Sequence, residues 1–121
     1  MDCKPTSAAA WLAEYLPTVK TIYAFPLLSG TDEQNGWDIL GKVKDLIFTQ
    51  VGGIIQADRE GFSDEKGYHI PWQVSNSVKG PWWMSVLKDG HWVRFQMDLG
   101  SRKHRAAFFR GEVPAGVKMA E

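Results

Sequence analysis

The stretch PWWMSVLKDGHWVRFQMDL, Pro81 to Leu99, decides the fold of this chain and carries three of its six tryptophans. It reads as a β-hairpin. Asp89-Gly90 separates two apolar-rich runs, and an Asp-Gly pair takes the positive φ angles of a type I′ turn, whose twist matches that of the flanking strands. With these two residues at the tip, Lys88 faces His91, Leu87 faces Trp92, Val86 faces Val93 and Ser85 faces Arg94. Further out, Met84 meets Phe95, Trp83 meets Gln96 and Trp82 meets Met97. Side chains alternate between the faces of a strand. One face therefore collects Trp82, Met84, Val86, Val93, Phe95 and Met97, is wholly apolar and is assigned to the core. A slip of one residue would destroy that match.

The opposite face carries Trp83, Ser85, Leu87, Trp92, Arg94, Gln96 and Asp98. Aromatic side chains bury roughly 150–250 Å² each, so Trp83, Leu87 and Trp92 together could expose on the order of 400 Å². Apolar patches of that size on a monomer are often functional. Three readings are open: another element of the same domain covers the rings, a protein partner or second copy does, or they line a small-molecule pocket. Arg94 and Asp98 argue against complete burial, since charged side chains are rarely buried without a partner.

Working outward, 121 residues are expected to form a single domain with a real core and no need of disulfides or metal. The apolar fraction of 44% is that of a globular protein. Fourteen basic and fourteen acidic residues cancel, so no global field draws the chain to nucleic acid or to an anionic membrane. The single cysteine, Cys3, excludes an intrachain disulfide and has no activating neighbour in sequence. No signal-peptide pattern opens the chain and no run is long and apolar enough to span a bilayer; the expected location is cytoplasmic.

Two helices are predicted before the hairpin. The first runs from Ser7 to Leu16, capped by Thr6 or Ser7 and stopped by Pro17. The second runs from about Trp37 to Gln50, with Leu40, Val43, Ile47 and Val51 at helical spacing, Ile39 and Leu46 widening the stripe, Asn35 as its cap and Gly52-Gly53 after it. Between them KTIYAFPLL, 20–28, has the β-branched and aromatic residues of a strand, with Pro26 at an edge or bulge. Strands are also expected at Gly53 to Asp58 and from Tyr68 onward, joined through the turn Asp64 to Gly67 with a bulge at Glu60-Gly61. Ser101 to Gly111 leans to a short helix, and the tail from Pro114 is expected to be loosely held. The predicted class is α+β: an antiparallel sheet of about five strands with two helices packed on one face.

No motif names a reaction. Asp58, Glu60, Asp64 and Glu65 cluster near a turn without calcium-loop spacing. His69, His91 and His104 lack the short spacing that puts two imidazoles on one metal. No cofactor is expected, and the balance leans against an enzyme. Three uses follow. The first is a non-catalytic binding protein that meets a partner, or itself as a homodimer, through Trp83, Leu87, Trp92 and Arg94, because Trp and Arg dominate interface energies. The second is a small-molecule pocket lined by tryptophans, with Asp58, Glu60 and His69 as polar contacts. The third, disfavoured by the neutral total charge, is nucleic-acid binding through Arg102, Lys103, Arg105 and Arg110, interleaved with Phe108 and Phe109.

Overall fold

In a computed structural model, which describes residues 4–58, 61–72 and 74–121, the hairpin has the register read from the sequence. Strand β3 (Pro81–Lys88) pairs antiparallel with β4 (His91–Asp98), from Lys88 opposite His91 to Trp82 opposite Met97. Asp89 and Gly90 both have positive φ, 49° and 79°, as a type I′ turn requires. The apolar face is the core: Met84, Val86, Phe95 and Met97 are buried, joined by Leu99, Trp72 and Phe108, with Trp82 and Val93 packed at its margin.

Helix α3 (Arg102–Phe109) closes that core. Ser101 caps it, its Oγ accepting the His104 N–H at 3.3 Å. Gly111, at φ 74°, ends it by donating its N–H to the Phe108 carbonyl at 2.8 Å. Phe108 lies with its ring centroid 6.5 Å from that of Phe95 and 6.4 Å from that of Trp72. Asp98 ties the base of the hairpin to the helix: its Oδ1 accepts N–H groups of Gly80 and Gly100, and its own N–H donates to His104 Nδ1. The segment expected to be a loose tail is held to the sheet. Pro114 is buried, β5 (Lys118–Met119) pairs with Gln96 and Phe95 of β4, and the Ala120 N–H donates to the Arg94 carbonyl.

Upstream, the strand expected at Gly53 to Asp58 forms, its partner is a strand that was not expected, and the one expected from Tyr68 onward is present only as isolated bridges at His69 and Trp72. Strand β1 (Ile54–Ala57) pairs antiparallel with β2 (Gly61–Asp64), Ala57 opposite Gly61. Of the bulge expected at Glu60-Gly61, Glu60 lies outside the described residues, while Gly61, at φ 82°, is the first residue of β2, a positive φ that glycine tolerates. The next turn falls where the sequence put it, with the Gly67 N–H on the Asp64 carbonyl at 2.9 Å and Gly67 at φ 83°. Beyond it, His69 bridges antiparallel to Ser63 and parallel to Met84. Its N–H donates to the Trp83 carbonyl, and its carbonyl accepts the Ser85 N–H. Among the described residues five strands make an α+β fold of a two-stranded and a three-stranded antiparallel sheet, with His69 as a backbone link between them.

Helix α1 (Thr6–Tyr15) begins without the side-chain cap expected of Thr6 or Ser7; Pro5 stands at the cap position, and its carbonyl accepts the Ala9 N–H. Ala8 and Leu12 are its buried residues. Contacts divide the chain into two compact units, Met1–Thr18 with Ile54–Glu121, and Val19–Gly53. In the second unit the strand predicted at 20–28 does not form. Its β-forming residues find no complementary strand among the described residues of the unit, and Pro26 removes a ladder donor. Helix α2 (Gln34–Gln50) starts three residues before Trp37, takes Asn35 into its first turn rather than as a cap, and contains no fully buried residue.

Candidate interaction surfaces

The second face of the hairpin is largely occupied by the chain's own side chains. Trp83 is half-buried, edge-on to Tyr68 with centroids 5.5 Å apart, and the Lys118 ammonium lies 5.7 Å from its ring centre. Trp92, also half-buried, meets Trp11 of α1 edge-on at 5.2 Å, and Trp11 stacks on Tyr15 at 4.7 Å. Leu87 is half-buried between these two groups in sequence, and Ser85 is fully buried. Arg94 points its guanidinium at Asp64, Nε to Oδ2 at 2.7 Å, with Glu65 at 3.7 Å and the Tyr68 ring 5.4 Å beneath. Trp83 and Arg94 are therefore brought together around Tyr68, whereas Trp92 belongs to a separate stack with α1.

Asp64, which the sequence placed in an acidic cluster at a turn but not among the binding residues, is the central polar group of this face. It is buried, yet every carboxylate oxygen is used: Oδ1 accepts the N–H groups of Lys66 and Tyr68, each at 3.0 Å, and Oδ2 accepts from Arg94. Its place four residues before Tyr68 in a Gly-closed turn is the signal for the first pair of bonds, an Asx-type turn. The bond to Arg94 spans thirty positions and has no local signature. Asp58 is exposed, and Glu60 lies outside the described residues. His69 is half-buried with its ring 4.7 Å from that of Trp82, and its backbone is what joins the sheets. Among the described residues no group of three or more His, Cys, Asp or Glu is placed to hold a metal ion, and no helix is long and apolar enough to cross a membrane.

The basic segment divides into two parts. Arg110 is engaged with Glu112 through Nε and Nη2, at 3.1 and 2.8 Å; this hydrogen bonding holds the Glu112 carboxyl below its ordinary range and raises Arg110. Arg102 and Lys103 project from the first turn of α3, an adverse place for cations because the helix dipole is positive there. Arg105 donates Nη1 to the Asn76 carbonyl at 3.2 Å. Arg102, Arg105, Asn76, Ala106 and Phe109 line a shallow hollow of about 500 Å³.

Most of the exposed large hydrophobic side chains lie elsewhere, in residues the sequence had assigned to a strand and a packed helix. Of thirteen exposed large hydrophobic side chains among the described residues, eleven fall between Val19 and Val51. They include Ile22, Tyr23, Leu27 and Leu28 before α2 and Trp37, Ile39, Val43 and Leu46 within it. Helical periodicity marked an apolar stripe correctly, but periodicity alone does not say whether the stripe meets its own chain or another. Comparison with known proteins finds no match to a family model, to a curated protein or to a solved structure.

Proposed function

We propose that the protein is a non-catalytic binding module that meets a protein partner or a second copy of itself, and that its main contact surface is the apolar side of residues 19–51. The supporting observation is the concentration of exposed apolar side chains there. Large exposed apolar patches on folded chains mark interaction sites, and the largest patch on an ordinary monomer is only about 300–600 Å². Trp83, Leu87, Trp92 and Arg94 on the hairpin are the lesser candidate surface, because Trp83, Trp92 and Arg94 already share their faces with Tyr68, Lys118 and Trp11.

A contact surface awaiting a partner tolerates charge, whereas a face covered by its own chain does not. Ile39→Lys and Leu46→Lys, unfolded by urea at sub-micromolar protein, are each expected to change the unfolding free energy by no more than about 0.5 kcal/mol, as surface substitutions do. A loss of about 2–4 kcal/mol at either position, the cost of disrupting a core site, would reject the reading.

A second reading is favoured by the hollow beside α3. Arg102 and Arg105 present cations beside Phe109, the combination that holds a phosphate backbone and stacks a base. Binding of an oligothymidylate measured by fluorescence anisotropy is then expected at low salt. It should weaken about tenfold or more between 50 and 200 mM salt and be lost in Arg102→Glu. A chain that fails to bind at 50 mM salt does not work this way.

A further inference from the structure

We infer that the occupant of the 19–51 surface is a second copy of this chain, docked two-fold through α2; the inference rests on the interaction reading above and names its partner.

Three observations point to a copy rather than to a membrane or an unrelated protein. The first is area. The eleven exposed side chains amount to on the order of 1,000 Å² at roughly 200 Å² for a fully exposed large residue, an upper bound on what one face of residues 19–51 offers. A standard interface takes about 800 Å² from each partner. The second is charge. Helix α2 carries Asp38, Asp45, Lys42 and Lys44, so its flanks are balanced. A helix that lies on an anionic bilayer has a polar face rich in Lys and Arg, which this one does not. A surface with no net charge meets itself without repulsion, whereas a strongly charged partner would have nothing here to select it.

The third observation is the pattern of the stripe. Ile39, Val43 and Leu46 are 55%, 38% and 67% exposed. They stand four residues before and three residues after a central valine, the two spacings that place side chains next to each other on one helix face. The stripe is therefore nearly palindromic. When two such helices run antiparallel about an axis at Val43, that valine meets its mate, and Ile39 of one copy faces Leu46 of the other. Isologous contacts need this kind of self-complementarity, in which residue i meets j and j meets i.

The full chain, studied by size-exclusion with light scattering across the micromolar range, is expected to pass from one chain mass to two. Val43→Asp places two like charges at the two-fold axis and should raise the dimer dissociation constant by about 100-fold or more, with an unchanged circular dichroism spectrum. Leu46→Glu, at the most exposed of the three positions, should do the same and guards against a folding defect at Val43. A dimer that survives both substitutions overturns the assignment to α2. A chain that stays monomeric to hundreds of micromolar overturns the copy as occupant. In that case quenching of Trp37 by acrylamide, read as the difference between the wild type and Trp37→Phe, separates two failures. Ready quenching leaves the interaction reading standing with another partner, and protection removes that reading as well.

Discussion

Asp64→Ala is expected to lower the stability of the fold by about 3 kcal/mol, measured by urea unfolding. Two separable losses contribute. The Lys66 and Tyr68 N–H groups lose their shared acceptor in the turn, and hydrogen bonds to a charged group contribute about 1.5–3 kcal/mol. Arg94 also loses its closest carboxylate. Breaking a fully buried pair by removing one partner costs about 3–5 kcal/mol. The Arg94 side chain is 27% exposed, so solvent screens part of that loss and the lower end applies. Asp64→Asn separates the two terms, because an amide oxygen still serves the turn while the charge is gone; about half the loss should return. Glu65 sits farther from Arg94 and is more exposed, and Glu65→Ala should change stability by less than about 0.5 kcal/mol. An Asp64→Ala variant as stable as the wild type would mean that the tie between the β2 turn and β4 carries no weight.

Phe108→Ala is expected to cost about 3–5 kcal/mol, the range for removing a buried aromatic and leaving a cavity. Phe108 is fully buried and stands between Phe95 on the hairpin and Trp72 on the incoming segment, so no single neighbour can move to fill its space. Since the total stability of a domain is about 5–15 kcal/mol, the variant should fold weakly and lose near-ultraviolet dichroism before its helical signal. Phe108→Leu, which keeps most of the volume, should recover more than half of the loss. A well-folded Phe108→Ala protein would show that α3 is not what closes the core.

The elements that were legible in the sequence are those fixed by local chemistry. The Asp89-Gly90 turn sets the register of eight residue pairs because positive φ at both positions admits only one reversal. Ser101 and Gly111 bracket α3 through their own hydrogen bonds, and Gly67 closes the turn after β2. What the sequence did not reveal was decided by distant partners. Residues 20–28 have strand composition, but a strand requires a neighbour, and none is supplied by the described residues around it. The stripe on α2 was visible as a stripe, while its exposure was not, since burial depends on what the rest of the chain brings against it. Trp83 and Trp92 shared a face as read, yet their neighbours Tyr68 and Trp11 come from segments far along the chain. The Asp64–Arg94 pair was hidden for the same reason. Each residue looked ordinary alone, an acid at a turn and a cation on a half-apolar face.

The single-residue seam at His69 sets the scale on which this molecule can come apart. Among the described residues, the β1–β2 hairpin and the segment 68–70 bonded to it adjoin the larger sheet through two backbone hydrogen bonds of His69, and the Asp64–Arg94 pair anchors them there; the cluster around Phe95 and Phe108 lies on the far side of that seam. Opening the small hairpin therefore need not disturb the large one. Such a boundary makes two cooperative units of unequal stability. The amides of β1 and β2 are therefore expected to exchange with solvent through a partial opening, and those at the heart of β3 and β4 only on unfolding of the whole domain, a difference that native-state hydrogen exchange would read directly.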